Sequence, residues 1–525
     1  MRAPFSRTLF DLVCEQAERY PDREAVVGNG RRLTYTELRD SAMRIAGGLH
    51  ALGLRRHERV GLLLNNRPEW VEICFGVAAI GAVLVPFSTW SKRRELEFLF
   101  KDSRIRLLIA ADRVGDQDFA QDIDALRPSF PYLAIAMIGE ATVPNAIAYP
   151  TLAHSHPPIE AAPPPGDGAR PEDPALILYT SGSTSYPKAV PLRHSGIIEN
   201  GFNIGERQGL RPGDRVLLSP PLFWSYGSAN AMSATLTHGA TLVLQGRFEA
   251  GESLDLIEKE RCTSLYTMPG MTSAMLNHQD FRRERTQSLR TGVSIGTPQD
   301  LAAVANDLGA REICNVYGQT ESYGNCAVTW HHWPLARRMR VQGPPLPGVD
   351  VRIVDEGGKE VARGEAGQIE VKGNLTPGYD GVSAENNAKA FTAEGYFRTG
   401  DRGMLTPEGD VVFLARTTEM IKRAGINIAP AEVEEVLRHH PGVAEVGVVG
   451  APDPAKGEIV LAFVVLKAGA SATADELRAH CRAEAASYKT PDRIEICDQL
   501  PTTATGKLLR AELKTMAAKL PPRER

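Results

Sequence analysis

Apolar and polar residues along the first part of the chain predict helices that alternate with buried strands. Thr34 and Glu37 have the spacing of a helix capping box, and apolar residues follow them at helical intervals. A second helical pattern covers residues 70–79. Three continuous apolar runs predict buried strands: VGLLL at residues 60–64, AVLVPF at 82–87 and RLLIA at 106–110. Such alternation is typical of α/β layers with parallel strand pairing.

Two further segments bear on how this region is organised. Residues 73–87 are strongly apolar but too short to cross a bilayer core of roughly 30 Å as a helix. We expect a buried helix that passes through Gly81 into a buried strand. The segment at residues 161–174 is rich in proline and glycine, so it is either a domain linker or a surface crossing inside one domain. We favour the crossing, because the strand-like PALILYT follows at once and needs sheet neighbours.

The pattern changes near residue 349, where short alternating strands are separated by glycine-rich turns. These strands are VDVRIVD, GQIEVKG and GDVVFLA, and they predict a small β-rich subdomain. After Arg416 the pattern predicts a helix in AEVEEVLRHH, strands in AEVGVVG and EIVLAFVVL, and a helix in TADELRAHCRAEA. This tail has its own apolar residues and could fold as a separate α+β domain.

Chain length supports more than one domain, since 525 residues exceed what a single hydrophobic core holds. The fold class that we predict is α/β. A large N-terminal domain, residues 1–415, contains layered α/β subdomains and the small β-rich subdomain. A small α+β C-terminal domain, residues 416–525, follows it.

Composition narrows the class of protein. The chain is 42% hydrophobic and 24% charged, which is ordinary for a soluble globular protein. A formal net charge of −4 gives no general electrostatic reason to expect nucleic acid or an anionic membrane as a partner. Seven scattered cysteines without a CxxC pair indicate free or buried thiols in a reducing compartment. We expect no secretion signal, because acidic residues and arginines interrupt the apolar residues at the start of the sequence. We therefore expect a cytoplasmic protein that binds neither nucleic acid nor membrane.

The segment YTSGSTSYPKAVPL, residues 179–192, is a candidate phosphate loop. Its hydroxyl groups and one lysine could bind phosphate oxygens: Thr180, Ser181, Ser183 and Thr184 around Gly182, then Lys188. It does not fit a Walker loop, because the second glycine is missing and Pro187 has no N–H. GNGRRL, from Gly28, lacks the third glycine of a dinucleotide fingerprint. Alone, the loop fits an ordinary turn equally well.

Seven segments stand in this order along the chain: YTSGSTSYPK, NVYGQTES, YFRTGDRG, ARTTEMIKRAGINIAPAEVE, VGAPDPAKGE, YKTP and PTTATGKLLR. Together they resemble blocks of the adenylate-forming superfamily, in its acyl- and aryl-CoA synthetase branch. The resemblance covers nearly the whole chain. It implies that a carboxylate attacks the α-phosphorus of ATP, pyrophosphate leaves, and coenzyme A then takes the acyl group. Positioning and electrostatic stabilisation would supply most of the rate.

The resemblance also implies roles for individual residues in binding ATP, Mg²⁺ and coenzyme A. The loop from Thr180 to Thr184, with Lys188, would hold the β- and γ-phosphates. Glu321 would hold Mg²⁺ together with Thr184, and Thr320 would touch the α-phosphate. Lys507 would bridge the substrate carboxylate and the α-phosphate. The catalytic residues implied are Lys507, Thr320 and Lys188.

Further residues would bind the nucleotide and coenzyme A by the same resemblance. Tyr317 would stack on adenine, with the Gly296, Thr297 and Pro298 turn on its other side. Asp401 would accept both ribose hydroxyls, and Arg416 would add a ribose or phosphate contact. The remaining implied binding positions are Asn315, Gly318, Gln319 and Gly425.

In such enzymes the mobile C-terminal domain rotates between two half-reactions. Lys507 would face the site during adenylation, and the Gly425 loop would face it during thioester formation. The chain departs from the family near the hinge and the phosphate loop. Thr418 stands where an aspartate or lysine is usual, Ala415 precedes Arg416 in place of a glycine, and Ser185 and Ala189 also replace glycines. β-Branched, uncharged threonine could change the balance of the rotation.

The residues that would line the acid pocket are largely aromatic. They are Phe223, Trp224, Tyr226, Gly227, Ser294, Ser322 and Tyr323. The stretch LFWSYGS has no aspartate, so an α-amino acid is disfavoured, because a buried ammonium without a counter-charge is costly. We expect an aryl, alicyclic or medium-chain acid. Plain core packing remains an alternative for each aromatic residue. We interpret TWHHW, residues 329–333, as structural, because adjacent histidines point apart.

The main prediction is thus an ATP-dependent carboxylic acid–CoA ligase whose partners are small molecules. Transfer of the acyl group to an amine or a carrier-protein thiol stays open, as does a non-catalytic nucleotide-binding relative. The presence of Glu321, Asp401 and Lys507 together argues against the last alternative. The protein would be a monomer or a homodimer.

Overall fold

Backbone elements can be followed over most of the chain in a computed structural model. The residues described are 3–141, 143–157, 168–180, 187–416, 421–423, 426–428, 430–453, 456–485, 489–503 and 507–520. Side chains are described throughout these ranges except at positions 94, 386, 416, 422, 426, 427 and 432.

Helices in the described residues follow the predicted periodic segments and add others. They are α1 Leu9–Arg19, α2 Tyr35–Ala51, α3 Pro68–Ala79, α4 Arg93–Ser103, α5 Phe119–Leu126, α6 Tyr149–His154, α7 His194–Gln208, α8 Ser233–Thr237, α9 Ala250–Lys259, α10 Pro269–Leu276, α11 Pro298–Ala302, α12 Leu335–Arg338, α13 Ala384–Ala390, α14 Pro430–Arg438, α15 Ala474–Glu484 and α16 Arg510–Lys519. Single turns of 3₁₀ or π-helix lie at Arg127–Ser129, Tyr226–Met232, Arg283–Thr286, Ala303–Leu308 and Thr320–Ser322.

Strands in the described residues are as follows: β1 Glu24–Gly28, β2 Arg31–Thr34, β3 Arg59–Leu63, β4 Val83–Pro86, β5 Leu107–Ala111, β6 Arg113–Val114, β7 Gln117–Asp118, β8 Ala134–Ile138, β9 Ile147–Ala148, β10 Pro174–Thr180, β11 Lys188–Arg193, β12 Arg215–Leu218, β13 Thr241–Leu244, β14 Ser264–Thr267, β15 Thr291–Ser294, β16 Glu312–Tyr317, β17 Ala327–Val328, β18 Val349–Val354, β19 Gly367–Gly373, β20 Phe397–Leu405, β21 Val411–Arg416, β22 Ile421–Arg423, β23 Ile426–Ile428, β24 Val443–Asp453, β25 Gly457–Leu466 and β26 Arg493–Ile496.

The first predicted strands form a seven-stranded sheet in the order β11-β10-β4-β3-β5-β8-β9. β3 pairs in parallel with both β4 and β5, as the apolar runs predicted. The capping box is confirmed, since the Thr34 side chain accepts from the Glu37 amide and the Glu37 carboxylate accepts from the Thr34 amide. Residues 73–87 are also confirmed as a buried helix, α3, that turns at Gly81, where φ is +68°, into β4.

The proline-rich segment at 161–174 joins two parts of one sheet. β4 precedes it and β10 follows it, and these two strands pair in parallel through Leu84 and Leu176. β10 then forms an antiparallel pair with β11. The strands before and after the segment therefore belong to one sheet, as a crossing inside one domain requires. Residues 161–167 lie outside the described residues, so the surface crossing itself stays a prediction.

An eight-stranded sheet contains Ser294, Asn315 and Tyr317 of the predicted site, and other predicted residues follow its strands. Its order is β17-β16-β15-β14-β12-β13-β1-β2. β13, β12, β14, β15 and β16 are parallel neighbours, so their carboxyl ends lie at one edge. In parallel α/β sheets this edge is where ligands usually bind.

The β-rich subdomain is confirmed as a four-stranded sheet in the order β18-β19-β20-β21. Further along, β23-β22-β25-β24 form a sheet to which β26 adds on β25. The predicted helices and strands of the tail correspond to α14, β24, β25 and α15. One apolar cluster of this tail includes Val433, Leu437 and Leu477, and another includes Leu513.

The chain divides into two compact units. Residues 1–268, 272–350 and 371–397 form the larger unit, and residues 269–271, 351–370 and 398–525 form the smaller one. A mixed α/β fold with a large N-terminal and a small C-terminal region is therefore confirmed. The predicted boundary between residues 415 and 416, and the mobility of the C-terminal domain, stay predictions.

Cysteine side chains are free thiols, as the sequence indicated. Cys74, Cys262, Cys314, Cys326 and Cys481 are buried, whereas Cys14 and Cys497 are partly exposed. Burial raises the pKa of Cys74, Cys262 and Cys314 to about 12. In the part of the chain that the structure describes, no helix combines the length and apolarity needed to cross a membrane.

Candidate active site

Three parallel strands place predicted site residues side by side. In the register of β14, β15 and β16, Ser294 lies between Thr267 and Asn315. The Tyr226 hydroxyl lies 2.9 Å from the Val293 carbonyl oxygen and 3.0 Å from that of Thr267. Tyr226 therefore fastens the π-helical turn Tyr226–Met232, which also contains the buried Gly227, to the ends of β14 and β15.

The block NVYGQTES forms the end of β16 and a tight turn. Tyr317 ends the strand, Gly318 and Gln319 follow, and Thr320–Ser322 is a single 3₁₀ turn. Both the amide and the hydroxyl of Ser322 donate to the Gln319 carbonyl. The Asn315 amide group donates to the main-chain oxygens of Arg338, at 3.0 Å, and Val341, at 2.9 Å. Its predicted nucleotide contact stays a prediction.

The predicted Gly296, Thr297 and Pro298 turn follows β15 and starts α11. Thr297 and Asp300 form a capping box, in which the Asp300 carboxylate accepts from the Thr297 amide and hydroxyl, each at 2.7 Å. Gly296 has φ +137°, a conformation that favours glycine. These contacts fix the turn beside the edge where β16 ends.

The predicted phosphate lysine belongs to an antiparallel hairpin. Thr180, the last residue of β10, is the direct partner of Lys188, the first residue of β11. Ser181, Gly182, Ser183 and Thr184 lie outside the described residues, as do Thr418 and Gly425 and the side chain of Arg416. Their roles stay predictions.

Lys188, Tyr379 and Glu321 form a contiguous group. The Tyr379 hydroxyl donates to Glu321 Oε1 at 2.8 Å, and Lys188 Nζ lies 4.7 Å from the centre of the Tyr379 ring. Glu321 is buried, with 7% of its surface exposed. Burial and the neighbouring Glu321 carboxylate raise the pKa of Tyr379 well above its usual range, so the phenol stays protonated. Sequence reasoning missed Tyr379, because it stands far along the chain from the other two residues.

The hydroxyl groups of Ser225 and Thr320 connect the turn at Thr320–Ser322 to the stretch that contains Phe223 and Trp224. Ser225 Oγ lies 3.1 Å from Thr320 Oγ1. Asn230 Nδ2 donates to the Ser225 and Tyr323 carbonyl oxygens, each at 3.1 Å. The acid-pocket stretch and the Thr320 turn are therefore held together by direct hydrogen bonds.

Three aromatic side chains pack edge to face next to this contact. The ring centres of Trp90 and Trp224 are 5.0 Å apart, and those of Trp90 and Phe223 are 5.3 Å apart. Phe223 is buried, whereas Trp90 is 42% exposed. We call Trp90, Phe223 and Trp224 the aromatic trio. Sequence reasoning missed Trp90, which stands in a mainly polar loop.

Of the two other predicted pocket tyrosines, Tyr323 is deeply buried and Tyr226 is partly buried. Tyr323 has 0% exposure and φ +58°, and its ring lies over Gly196 of α7. Its hydroxyl accepts from the Arg193 amide at 3.2 Å. Burial raises the pKa of Tyr226 well above its ordinary value. Tyr323 thus packs the turn against α7, and the contact of either side chain with an acid stays a prediction.

The remaining predicted residues belong to the smaller unit. Asp401 on β20 is 2% exposed and is the direct cross-strand partner of Arg416 on β21. The Asp401 amide donates to Thr399 Oγ1 at 3.1 Å. Lys507 is exposed, its amide donates to Thr503 Oγ1 at 3.0 Å, and its carbonyl accepts from the Thr503 amide at 2.7 Å.

The TWHHW segment has packing, hydrogen-bond and cation–π contacts. His331 Nδ1 lies 3.0 Å from Glu312 Oε2. The Arg207 guanidinium lies 4.3 Å from the Trp330 ring centre, and that of Arg337 lies 3.6 Å from the Trp333 ring centre. In the described ranges, no group of three or more histidine, cysteine or acidic side chains is arranged to hold a metal.

A cleft of about 880 Å³ lies elsewhere in the larger unit. Its walls include Gly30, Asn65, Arg113, Arg247 and Glu249. None of the predicted site residues lines it. Most of its arginines pair with carboxylates, as Arg113 does with Asp118 at 2.7 Å. The motif residues therefore define the candidate site better than this cavity does.

Comparison with family models shows the family to which the chain belongs. Residues 13–380 match the model of the AMP-binding enzyme family, and residues 432–507 match that of the AMP-binding enzyme C-terminal domain. The chain belongs to the AMP-binding enzyme family. The resemblance to the adenylate-forming superfamily is therefore confirmed, and the protein is an enzyme of the AMP-forming acid–CoA ligase class.

Individual AMP-binding enzymes match over almost their whole length. The putative acyl-CoA synthetase YngI of Bacillus subtilis is 32% identical over 97% of this chain and 96% of its own. A feruloyl-CoA synthase of an Amycolatopsis species is 33% identical over 95% of this chain and 97% of its own. The crystal structure of the anthranilate CoA ligase AuaEII with anthranoyl-AMP has a TM-score of 0.88 at 28% identity and covers 99% of both chains.

Proposed function

We propose that this AMP-binding enzyme activates an aryl, alicyclic or medium-chain carboxylic acid with ATP and transfers the acyl group to coenzyme A. The observation that carries the choice of acid is the aromatic trio beside the Ser225–Thr320 contact. Phe223, Trp224 and Ser225 are consecutive, and Ser225 Oγ is 3.1 Å from the residue that family resemblance places at the α-phosphate. An apolar wall therefore adjoins the point where the carboxylate would react.

The absence of an acidic residue from this stretch argues against a positively charged acyl group. Residues 219–230, SPPLFWSYGSAN, contain no aspartate or glutamate. An α-amino acid would bring an ammonium group to this wall without a counter-charge, which is costly when buried. The feruloyl and anthranilate ligases among the similar proteins are named for aromatic acids, which agrees with an aromatic wall.

The first half-reaction brings negatively charged groups together, so it needs positive charge at the site. A substrate carboxylate oxygen attacks the α-phosphorus, the bond to the bridging oxygen breaks, and pyrophosphate carries away the electron pair. Lys188 and the hydroxyl residues from Thr180 to Thr184 would bind the β- and γ-phosphates, where negative charge increases. Lys507 would neutralise the carboxylate and the α-phosphate as they meet. Fixed positive charges of this kind lower the barrier because they need no reorganisation.

The residues present fit a Mg²⁺ ion. Glu321 offers a buried carboxylate whose Oε1 accepts the Tyr379 hydroxyl, and hard oxygen donors suit this cation. Glu321, with Thr184, would hold the ion, which would neutralise phosphate charge when bound. Thr320 would contact the α-phosphate beside it.

Family resemblance implies further contacts with the nucleotide. Tyr317, Gly318 and Gln319 with the Gly296–Pro298 turn would bind adenine, and Asp401 with Arg416 would bind the ribose. In the second half-reaction the coenzyme A thiol attacks the acyl carbon, and AMP leaves with the electron pair. We propose that the C-terminal domain, hinged at Thr418, rotates to bring the Gly425 loop to the site for this step.

Isotope exchange between pyrophosphate and ATP would test the first step. We expect exchange above background with at least one of benzoate, cinnamate, cyclohexanecarboxylate and octanoate, and little with acetate or phenylalanine. Adding coenzyme A should then give AMP and a thioester. Exchange driven best by acetate or by an amino acid would contradict the proposed acid class.

The same assay separates the alternative acceptors. If AMP is released from the adenylate when an amine or a carrier-protein thiol is added, but not when coenzyme A is added, the result would favour the alternative acceptor. Background exchange with every acid, in a protein that still binds ATP, would favour a non-catalytic relative.

A further inference from the structure

One tyrosine contacts both Lys188, which family resemblance places at the ATP phosphates, and Glu321, which it places at Mg²⁺. Tyr379 donates through its hydroxyl to Glu321 and presents its ring to Lys188. An ammonium group within about 6 Å of an aromatic ring centre is attracted to the ring face. The hydrogen bond and the ring contact fix the positions of an anion and a cation relative to one side chain.

The backbone around Tyr379 is tied to the same two elements. The Thr376 amide donates to the Glu321 carbonyl at 2.8 Å, and the Thr376 hydroxyl donates to the Pro191 carbonyl at 2.8 Å. The Asp380 amide donates to the Ala189 carbonyl at 2.9 Å. We call residues 374–380 the strap, because it joins β11 to the Thr320–Ser322 turn.

The side chain of Asn387 holds Tyr379 in place within the strap. Asn387 Oδ1 accepts from the Tyr379 amide at 2.8 Å, and Asn387 Nδ2 donates to the Tyr379 carbonyl at 3.0 Å. Tyr379 is itself buried. With its backbone bonded on both sides, the ring has little freedom to leave Glu321 or Lys188.

The phenol also determines which carboxylate oxygen is available. Glu321 Oε1 accepts the phenolic hydrogen. The other carboxylate oxygen, Oε2, would then be the one to bind a cation. A carboxylate held by one hydrogen bond is oriented before the ion arrives, which reduces the entropy lost on binding. Contact with the Tyr379 ring likewise limits the positions open to the Lys188 ammonium group.

We propose that Tyr379 is a positioning residue that orients Glu321 for Mg²⁺ and Lys188 for the phosphates of ATP. This inference rests on the proposed function, since Mg·ATP must be the ligand. The Tyr379 hydroxyl would orient the Glu321 carboxylate, and the Tyr379 ring would orient the Lys188 ammonium group. The two parts of one side chain should therefore be separable by substitution.

Calorimetric titration of the full chain with ATP, in Mg²⁺ or in EDTA, would test this inference without any acid present. We expect Tyr379→Phe to weaken ATP binding about tenfold in Mg²⁺ and to leave binding in EDTA within about twofold of wild type. The reason is that the substitution removes the hydrogen bond to Glu321 and keeps the ring over Lys188. Tyr379→Leu should weaken binding in both conditions.

Tyr35→Phe provides a matched control. The Tyr35 hydroxyl is buried and donates to the Ala240 carbonyl at 2.7 Å, so the same atom is lost away from Lys188 and Glu321. We expect both dissociation constants to stay at the wild-type values. Asn387→Ala offers a second variant that leaves the tyrosine intact. It should weaken binding in Mg²⁺ more than in EDTA, and it carries the test if Tyr379→Phe does not fold.

The ratio of the two dissociation constants decides the outcome. If Tyr379→Phe leaves the ratio of the dissociation constants in Mg²⁺ and in EDTA unchanged, the positioning role is overturned. An equal loss of affinity under both conditions is one such result. A wild-type protein that binds no ATP under either condition would instead contradict the proposed function, and the inference with it. Circular dichroism of each variant shows which of them are folded.

Discussion

The indole of Trp90 touches both aromatic residues that the sequence places in the acid pocket. Its ring centre is 5.0 Å from that of Trp224 and 5.3 Å from that of Phe223. Edge-to-face aromatic pairs add about 0.5–1.5 kcal/mol beyond their buried area. Trp90 therefore supports the proposed wall of the acid pocket from a separate loop.

Replacing Trp224 with alanine should change the choice of acid. If its ring forms the wall, we expect the ratio of kcat/KM for an aryl acid to that for a short acid to fall more than tenfold, about 1.4 kcal/mol. Kinetics with paired acids would measure this ratio. Trp330→Ala, which removes an indole beneath Arg207, is the control and should leave the ratio unchanged. An equal loss for both acids in Trp224→Ala would contradict the assignment.

Individual contacts were predictable only where residues are close in sequence. The Thr34–Glu37 capping box spans three residues, and its geometry follows from the helix itself. The Tyr379–Glu321 bond joins residues 58 positions apart, and nothing in either local sequence indicates the other. The same limit hid Trp90, whose partners belong to a different strand connection.

Among the elements, α7 and the turn at Thr320–Ser322 depend on close packing through Tyr323. A Cβ at Gly196 would lie 2.2 Å from the Tyr323 ring carbon Cζ, which is far inside van der Waals contact. Asn200, also on α7, donates to the Tyr323 carbonyl at 3.0 Å. The position of the turn that contains Glu321 is therefore set in part by this helix.

Gly196→Ala should destabilise the larger unit and displace the turn. We expect a cost of about 1–3 kcal/mol, because inserted atoms in a packed core force side chains to shift. Thermal unfolding and ATP affinity would both be measured, and both should decrease. Gly442→Ala is the control, since its Cβ would meet atoms at 3.4 Å or more. Wild-type values for Gly196→Ala would show that Tyr323 can move freely.

Elements with a clear apolar period were predicted well, and short ones were not. β3, β4 and β5 are continuous apolar runs in a parallel sheet, so their burial is visible in the sequence. β22 has three residues and β26 has four, too few for a period to appear. Such strands are stabilised by pairing with β25, a neighbour that the sequence pattern does not identify.

For the whole molecule, the proposed reaction depends on a lysine in the C-terminal region. Lys507→Ala should lower adenylate formation at least about 100-fold, because no cation would then join the carboxylate and the α-phosphate. Thioester formation from preformed adenylate should stay close to wild type. Lys514→Ala, on the exposed side of α16, should change neither step. Equal loss in both half-reactions would contradict the assigned role.

Low pH should destabilise the fold through Asp173, whose carboxylate joins segments that are distant in the sequence. Asp173 accepts from Arg56 Nε and Nη2, each at 2.8 Å, and lies 3.0 Å from His57 Nε2. Burial alone would raise its pKa, but the hydrogen bonds from Arg56 and His57 outweigh burial and hold the pKa well below the usual range. Because the folded-state pKa is lowered, this stabilisation is complete above the unfolded-state pKa of about 4 and is lost as pH falls below it.

Thermal unfolding of Asp173→Asn across pH would measure this contribution. We expect a lower melting temperature than wild type at pH 7 and a smaller decline between about pH 4 and pH 2, since the titrating group is gone. Asp475→Asn is a suitable control, because that aspartate is 87% exposed. If the melting temperatures of wild type and Asp173→Asn decline equally as pH falls, other carboxylates determine the loss of stability at low pH.

The burial of the cysteines has a practical consequence for measuring the enzyme. Thiolates react with disulfide dyes, and the buried thiols with a pKa of about 12 are almost entirely protonated at neutral pH. Burial also raises the pKa of the partly exposed thiols, that of Cys14 to about 11 and that of Cys497 above its usual value. A chromogenic disulfide added to the folded enzyme should therefore report free coenzyme A, with little background colour from the protein. The disappearance of that colour would follow acyl transfer continuously, without radioactive label or separation of products.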